Sequence, residues 1–571
     1  MKHSKKYIAF LLILCMLFLV KFQILNRDTN ALGKFRGASL EPTLWNPLVA
    51  EDVNGGVLRV MIDNKEYTNK NVDFYMNENR SIMVPVSMLR DALNCSVNLY
   101  DKKELLIEKH SLSAQMKVNE NSAKSGEELV DIQSPLIQKG DEYYVSLNDL
   151  SKLLGYSCTF DIAQNTMTAA DETDSVSLVP SSYDLRDRLR VSKVRNQGIY
   201  GTCWAFSAIS ALESSLLPEK QQFFSVDNMT MNNSFRVNQY AGGEYTMGMA
   251  YLAAWQGPVY EKDDPYGDGV IAYDAMPVAH VQEMRLIDGK NYEGIKEAVF
   301  KYGGVQTSLY STIRSSQGYS EYYNRDTNSY CYIGTQKPNH GVVIIGWDDN
   351  YPKENFPVPI EEDGAFICQN SWGEEFGEDG IFYVSYYDTN IGTHNVVYTR
   401  IDDVNNYDHI YQSDLCGWVG KLGYDKEEIF GANIYEAKQK EDICASGFYA
   451  TAPDTNYEVY IVKNFKDENS FHQRQKVASG VLEQAGYYTI DFDHPVAVEK
   501  GEKYAVVLYL KTPGENLPMA VEYDSGSVFL KDVDLDDGEG YISYNGKTFV
   551  NVKEKMDCNL CIKAFTRDKK S

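Results

Sequence analysis

Cys203 lies in the stretch NQGIYGTCWAFSA, where its neighbours favour a nucleophile. From Ala205 onward, apolar residues recur at i, i+3, i+4, i+7 and i+11, and Pro218 ends the pattern. This spacing predicts a helix that begins close to Cys203. A thiol attacks a carbonyl group as the thiolate, and the free N–H groups and dipole of a helix N-terminus favour an anion. The position therefore favours a catalytic thiol over a packed core cysteine, half of a disulfide or a metal ligand.

A base and an orienting group for this thiol follow later in the chain. His340 precedes the apolar run 342–345 in NHGVVIIGWDD, and such a run is typical of a buried strand. The imidazole is therefore expected at the end of a rigid element. Asn370 follows a second predicted strand, and its neutral amide suits a thiolate–imidazolium pair whose charges already balance. Trp372 is expected to shield the hydrogen bond between Asn370 and His340 from water.

These motifs resemble those of papain-family cysteine peptidases, and they occur in that family's order. The matching stretches are YDLRD, VRNQG, CWAFSA, NHGVVIIGW and NSWGEEFGEDG, with the His and Asn roughly 130–150 residues beyond the Cys. The resemblance covers residues 181–401 and implies a two-lobed papain-like catalytic domain with a helical lobe and a β-barrel-like lobe. It implies that Cys203 is the nucleophile, that His340 is the general base and then acid, and that Asn370 orients His340.

The same resemblance assigns oxyanion and substrate positions. Gln197 is expected to donate its side-chain amide to the oxyanion hole, beside the backbone N–H of Cys203. Gly242 and Gly243 match the glycines whose backbone pairs with the substrate, where only glycine allows a close approach. Trp372 is included among the substrate-binding residues.

The chain departs from the family pattern close to the nucleophile. Tyr200 stands where the family signature has its first Cys, so a disulfide usual in the family is expected to be missing, and Thr202 replaces Ser or Ala. Glu244 and Tyr245 are expected to begin the wall of the main specificity pocket, with Ser308 as a further candidate. An acidic, polar wall would disfavour a bulky apolar substrate residue.

The ten cysteines are too widely spaced to predict a disulfide framework. Cys558 and Cys561 form the one C-x-x-C pair, without a second pair or a nearby His, so we predict no metal site and no cofactor. A disulfide between Cys416 and Cys444 is left open.

Length, charge and the N-terminal segment limit the class of protein. The 571 residues suggest roughly three to five domains. A net charge of −26 would repel a phosphate backbone, which argues against a nucleic acid partner. Residues 1–25 combine early lysines with an apolar run, which predicts either a cleaved signal peptide or a signal anchor. The chain is therefore expected to be exported, with membrane contact only through this segment.

A small α+β module is predicted over residues 56–170, between linkers at 26–55 and 171–180. Residues 81–101 resemble residues 142–161, and each copy predicts a strand, a helix and a second strand. The module resembles the copper amine oxidase N-terminal-like domain of bacterial surface proteins. The resemblance implies a stalk or wall-facing module, and the segment offers no His cluster for copper.

Residues 402–571 contain short alternating strands separated by turn signals, which predict a β-sandwich. The stretches YDHIYQSDLCGW and ANIYEAKQKEDICASGFYA resemble the lectin-like domain that follows some bacterial surface peptidases. This resemblance implies a cell-wall or carbohydrate ligand, although no sugar-binding residue can be named.

The sequence thus predicts an α+β, papain-like cysteine endopeptidase of bacterial surface type. It would hydrolyse polypeptide substrates through a thioester acyl-enzyme, either secreted or held at the cell surface. Two alternatives stay open: an inactive papain-like adhesion or binding protein, and an acyltransferase or transpeptidase in which an amine captures the thioester.

Overall fold

A computed structural model describes residues 58–569, apart from 69–71, 162–163, 174–178, 236, 314, 528, 531–532 and 537. The predicted signal segment 1–25 and the predicted linker 26–55 lie outside the described residues, as does the middle of the linker 171–180. In the described part of the chain, no helix is long and apolar enough to cross a membrane.

The N-terminal module contains both predicted strand–helix–strand copies. Strand β4 pairs with β11 in antiparallel register, with Val84 opposite Val145, so the two copies share one small sheet. Helix α1 is a single turn preceded by a 3-10 turn, whereas α2 begins at the N-cap Ser146, whose side chain accepts from the Asp149 N–H. The described helices are α1 (Leu89–Ala92) and α2 (Leu147–Leu154). The described strands are β1 (Arg59–Ile62), β2 (Lys65–Thr68), β3 (Tyr75–Met76), β4 (Ile82–Pro85), β5 (Ser96–Tyr100), β6 (Glu104–Lys109), β7 (Leu112–Lys117), β8 (Ser122–Ser125), β9 (Glu128–Asp131), β10 (Ile137–Lys139), β11 (Glu142–Ser146), β12 (Tyr156–Asp161) and β13 (Thr166–Asp171).

The central part of the chain has one lobe of helices and one lobe of strands. Its described helices are α3 (Cys203–Leu216), α4 (Val226–Met231), α5 (Tyr245–Ala253) and α6 (Tyr292–Tyr302), with 3-10 turns at Leu185–Arg188 and Lys353–Asn355. Its described strands are β14 (Ser182–Asp184), β15 (His280–Ile287), β16 (Val305–Leu309), β17 (Tyr323–Asn324), β18 (Ser329–Tyr330), β19 (His340–Asp348), β20 (Ala365–Gln369), β21 (Ile381–Ser385) and β22 (Asn395–Asp402).

Helix α3 lies between the two lobes and is covered on both sides. The sequence pattern predicted an apolar stripe on one face of this helix, but every residue from Trp204 to Ser215 is buried. Strands β19 and β22 pack on one side and helices α4 and α5 on the other. The buried serines are tolerated because their hydroxyls bond to the helix backbone, as Ser207 does by donating to the Trp204 carbonyl over 3.0 Å.

The C-terminal part forms a sandwich that shares a sheet with the central part. Strand β15 pairs with β29, with Met284 opposite Tyr487, so the central sheet continues through β29, β26, β35 and β23. The described strands are β23 (His409–Tyr411), β24 (Gly420–Leu422), β25 (Glu428–Glu436), β26 (Glu441–Ala450), β27 (Thr455–Val462), β28 (Gln475–Leu482), β29 (Ala485–Val498), β30 (Lys503–Lys511), β31 (Met519–Tyr523), β32 (Gly540–Ser543), β33 (Val550–Asn551), β34 (Cys558–Leu560) and β35 (Ile562–Asp568). A 3-10 turn spans Glu468–Gln473, and helix α7 spans Val552–Met556.

The core of this sandwich lies between the continuing sheet and a second sheet of order β28-β27-β30-β25-β32-β33. Phe448 on β26 and Val506 and Leu508 on β30 belong to the same buried cluster. Sheet continuity depends on contacts between residues far apart in the chain, so no local sequence pattern predicts it.

The cysteines are all reduced in the part of the chain that the structure describes. The disulfide left open between Cys416 and Cys444 is therefore not formed. Cys558 and Cys561 are also free thiols, and both are buried.

The N-terminal module contacts the central part through charged side chains. Arg188 donates two hydrogen bonds to the Glu108 carboxylate, at 3.0 and 2.8 Å. Asp91 accepts a hydrogen bond from the Tyr302 hydroxyl and lies 3.7 Å from the Lys301 ammonium group. These contacts involve the 3-10 turn at Leu185–Arg188 and helix α6, neither of which contributes to the cavity described below.

Candidate active site

Cys203 and His340 are brought together by the contact between helix α3 and strand β19. Cys203 is the first residue of α3 and His340 is the first residue of β19. The two side chains are hydrogen-bonded to each other. Gly341 permits this approach, because a Cβ there would lie 2.7 Å from Ser207 Oγ and 3.1 Å from the Cys203 carbonyl oxygen.

Cys203 and His340 each favour the charged form of the other. Burial raises the pKa of the Cys203 thiol, but the charge of His340, their hydrogen bond and backbone N–H groups lower it more, so the net pKa is below its ordinary value. Burial lowers the pKa of His340, but the Cys203 charge and hydrogen bonds to Cys203 and Asn370 raise it above its ordinary value. Both shifts widen the pH range in which the charged pair exists.

Asn370 and Trp372 hold the imidazole of His340. The His340 Nε2–H group donates to Asn370 Oδ1 over 2.8 Å, which leaves the other ring nitrogen for Cys203. The Trp372 ring stacks on the His340 ring with centroids 4.6 Å apart. His340, Asn370 and Trp372 are all buried, and the Trp372 ring covers one face of the imidazole.

Gln197 is held in place by Ser371, a residue that was not predicted from the sequence. The Ser371 hydroxyl donates to Gln197 Oε1 over 2.6 Å, and the Gln197 N–H donates to the Ser371 carbonyl over 2.8 Å. Gln197 Nε2 donates to the Tyr200 carbonyl over 2.7 Å. Because an amide nitrogen carries two hydrogens, one remains for an oxyanion.

Tyr200 and Tyr266 stabilise the segment that precedes the nucleophile. The Tyr200 ring, at the position of the expected signature Cys, contacts the Tyr240 ring at a centroid distance of 5.0 Å. The Tyr266 hydroxyl donates to the Gln197 carbonyl over 2.9 Å and shares a 2.6 Å hydrogen bond with the Thr202 hydroxyl. Tyr266 has no local sequence pattern that could have identified it.

A cavity of about 650 Å³ opens beside Cys203 and His340. The predicted residues Gly243, Glu244, Tyr245 and Ser308 line it, whereas Gly242 does not. A Cβ at Gly243 would clash with the Trp204 ring. Gly242 has a φ of +82°, which favours glycine, so the structure explains why each position is a glycine.

The cavity wall is not purely acidic. Lys337 and His394 face it together with Glu244, and the His394 ring stacks on Tyr245 at 5.1 Å. Burial lowers the pKa of His394, and the Glu244 charge partly offsets this. No local sequence pattern predicts a role for His394, because its partners come from a distant part of the chain.

The described residues offer two groups of side chains that could hold a metal ion, and neither lies in this cavity. One group is His409, Glu441 and Asp568, and the other is Asp227, Asp264 and Asp268.

Comparison with protein families agrees with all three predicted resemblances. Residues 179–401 match the papain family cysteine protease model. Residues 61–169 match the copper amine oxidase N-terminal domain, and residues 410–566 match the lectin-like domain. The resemblance predicted from the motifs is thus confirmed for each part.

Two curated relatives align with the central part. The chain is 28% identical over 207 residues to cathepsin K of Mus musculus, and 30% identical over 221 residues to cysteine proteinase 1 of Zea mays. These alignments cover 35% and 36% of this chain, and 58% and 56% of the two relatives. The chain therefore spans little more than half the length of these relatives.

Two solved structures share the fold of the central and C-terminal parts. One is a clostridial cysteine protease, Cwp84, after propeptide cleavage, with a TM-score of 0.62 and 26% identity. It is matched over 100% of its length and 68% of this chain. The other contains the cysteine protease and lectin-like domains of Cwp84, a surface layer associated protein of Clostridium difficile, with a TM-score of 0.60 and 25% identity over 68% of this chain and 89% of that one. The predicted combination of a papain-like fold with a lectin-like domain is confirmed.

Proposed function

We propose that this chain, which carries a papain-family cysteine protease domain, is an exported endopeptidase that hydrolyses polypeptides. The observation that carries the proposal is the hydrogen-bonded series Cys203, His340 and Asn370 beside an open cavity of about 650 Å³. The lowered pKa of Cys203 and the raised pKa of His340 supply a nucleophile and a proton donor together.

Acylation begins when the Cys203 thiolate attacks the substrate carbonyl carbon. The new C–S bond forms while the carbonyl electron pair moves to oxygen, and the Gln197 side-chain amide and the Cys203 backbone N–H stabilise that oxyanion. When the intermediate collapses, the C–N bond breaks and the His340 imidazolium protonates the leaving amine. The product is a thioester on Cys203.

Deacylation uses the same groups in reverse. Neutral His340 takes a proton from water as the water oxygen attacks the thioester carbonyl. Collapse of the second intermediate expels the Cys203 thiolate and releases a carboxylic acid. The thiolate–imidazolium pair is thereby restored without a metal or cofactor taking part.

A location at the cell surface is part of the proposal. The N-terminal apolar segment supports export, and the structural relative Cwp84 is a surface layer associated protein. The lectin-like part would bind a carbohydrate or cell-wall ligand and so hold the catalytic part near its substrates. Surface or extracellular proteins are then the expected substrates.

The test is cleavage of an unstructured polypeptide mixture, with the products identified by mass. We expect internal peptide bonds to be hydrolysed by the wild-type protein and not by Cys203→Ala. If an added amine appears in most products instead of water, the acyltransferase alternative is correct. If the wild-type protein and Cys203→Ala both leave the peptides intact, the protein is a binding protein with an inactive peptidase fold.

A further inference from the structure

Three carboxylates meet near the nucleophile-bearing segment, although they take no part in the chemistry above. Each of Asp227, Asp264 and Asp268 presents an oxygen, and these oxygens all lie within 4.8 Å of one another. Asp227 belongs to helix α4, whereas Asp264 and Asp268 belong to the loop that follows residue 260. Asp227 and Asp264 are 0% and 1% exposed, and Asp268 is exposed at the surface.

Among the described residues, the hydrogen bonds to the Asp227 and Asp264 carboxylates come from uncharged donors. Asp227 Oδ1 accepts from Gln239 Nε2 at 2.6 Å and from the Gly267 N–H at 3.3 Å. Asp264 Oδ2 accepts from Asn228 Nδ2 at 2.8 Å. Asp227 Oδ2 is buried and has no hydrogen-bond partner in the described part of the chain.

In the part of the chain that the structure describes, no cationic side chain forms an ion pair that balances the charge of this group. Asp227 and Asp264 are both buried, and the described donors that reach their carboxylates are side-chain amides and a backbone N–H group. A buried carboxylate without a counter-charge is strongly unfavourable, so the group requires either a bound proton or a bound cation.

We propose that Asp227, Asp264 and Asp268 bind a calcium ion. The donors are all carboxylate oxygens, which suit a hard cation and offer no nitrogen or sulfur ligand to a softer metal. Calcium takes six to eight oxygens in adaptable geometry, so the three carboxylates supply part of its shell. The unpartnered Asp227 Oδ2 is the oxygen that remains available on that side chain.

The bound ion would fix the segment that precedes Cys203. Tyr266 lies between the two loop ligands, and its hydroxyl contacts the Gln197 carbonyl and the Thr202 hydroxyl. On the other side of the site, the backbone carbonyl of Gln239 accepts from the Gly201 N–H over 2.7 Å. Because both sides of the carboxylate group bond to this segment, an ion there would act as a clamp on it. The chain lacks the signature Cys at Tyr200 in that segment.

The test measures thermal unfolding of the full-length protein as Cys203→Ala, which prevents self-digestion. The transition temperature is recorded in a chelator and in millimolar calcium chloride, and the number of bound ions is measured by calorimetric titration. We expect calcium to raise the transition by about 5 °C or more. Because the readout is binding on an inactive protein, its failure is independent of the proposed catalytic activity.

Two aspartates of the same loop provide a matched pair of variants. Asp268→Asn replaces a charged carboxylate ligand with a weaker, neutral amide oxygen, which can still accept from the Val270 N–H, as Asp268 Oδ1 now does at 2.8 Å. Asp263→Asn removes the same charge from an exposed neighbour outside the group. We expect Asp268→Asn to lose one bound calcium ion and most of the thermal shift, and Asp263→Asn to keep both. The same number of bound calcium ions and the same thermal shift in both variants would overturn the proposal.

Asp264→Asn separates a calcium site from a cluster with only a structural role. Its amide oxygen can still accept from Asn228, while the repulsion between carboxylates falls. In the chelator we therefore expect this variant to unfold at the same temperature as its parent or higher, and to gain nothing from calcium. Loss of stability in the chelator together with an unchanged calcium response would contradict the proposal.

Discussion

Cys203 and His340 ionise together because each stabilises the charge of the other. Activity requires the thiolate and the imidazolium at the same time, so it rises with pH as Cys203 ionises and falls as His340 loses its proton. The lowered pKa of Cys203 moves the rising limb to lower pH, and the raised pKa of His340 moves the falling limb to higher pH. The hydrogen bond from His340 to Asn370 contributes to the raised pKa of His340.

Replacing Asn370 tests this contribution directly. In Asn370→Ala, the hydrogen bond that raises the pKa of His340 is absent, so the falling limb of kcat/KM should move to lower pH. The lost hydrogen bond to a charged group corresponds to a decrease of about 10- to 100-fold in kcat/KM. The measurement is kcat/KM against pH with one peptide substrate. An unshifted falling limb would show that Asn370 does not act through the His340 charge.

Substitutions of Gln197 and Ser371 test the oxyanion hole. Gln197→Ala should lower kcat by about 10²- to 10³-fold with little change in KM, because oxyanion stabilisation acts on the transition state. Ser371→Ala leaves the amide but removes the 2.6 Å hydrogen bond that orients it, so we expect a smaller loss in kcat. A loss confined to KM in Gln197→Ala would exclude the oxyanion role.

Residues at the ends of elements could be predicted from sequence, and residues that connect distant segments could not. Cys203, His340 and Asn370 each adjoin a helix or strand whose apolar pattern is local. Ser371 and Tyr266 act through contacts to Gln197, which is far from both in the chain. No local pattern encodes such a contact.

At the scale of elements, the site depends on the packing of strand β19 against helix α3. The helix was predicted by its spacing, but its burial on both sides follows from the arrangement of the two lobes, which the spacing does not encode. The two elements pack tightly at Gly341, next to His340, where an added Cβ would lie 3.1 Å from the Cys203 carbonyl oxygen.

Gly341→Ala should separate these elements and impair catalysis more than stability. The added Cβ would lie 2.7 Å from Ser207 Oγ and 3.1 Å from the Cys203 carbonyl oxygen, so the two elements must give way by a few tenths of an ångström. Misplacement of about 1 Å costs about 10²-fold in rate, so we expect at least a 10-fold loss in kcat/KM.

Leu212→Ala serves as the control for this element contact. Leu212 is fully buried on α3, two turns beyond Cys203, and its truncation should cost about 2–5 kcal/mol of unfolding free energy. It should leave kcat/KM of the folded protein nearly unchanged. Equal kinetic losses in Gly341→Ala and Leu212→Ala would contradict the proposed importance of the contact at Gly341.

At the scale of the molecule, the N-terminal module rests on a part of the catalytic domain that does not line the cavity. Among the described residues, the lining of the cavity comes entirely from the central part. The module is therefore expected to support the domain and not to inhibit it. The sequence indicated the module and its repeat, but its docking depends on side chains such as Arg188 that carry no pattern of their own.

Breaking the contact between Glu108 of the N-terminal module and Arg188 of the central part should lower stability without changing activity. In Glu108→Ala, Arg188 loses a two-point hydrogen-bonded partner that is largely shielded from water, and we expect a loss of about 1–2 kcal/mol in denaturant unfolding. Lys553→Ala removes an exposed ion pair of the C-terminal part and should change little. We expect kcat/KM to stay within about 2-fold of wild type in both variants. A marked increase in kcat/KM for Glu108→Ala would instead identify the module as an inhibitor.

The central claim is that Cys203 is an activated and accessible thiolate. The most direct test is the intact mass of the full-length protein after treatment with a thiol-directed epoxysuccinyl inhibitor, for the wild type, Cys203→Ala and His340→Ala. We predict a single addition to the wild type, none to Cys203→Ala, and slow addition to His340→Ala because the partner charge is lost. No addition to the wild type, or the same addition to Cys203→Ala, would contradict the account.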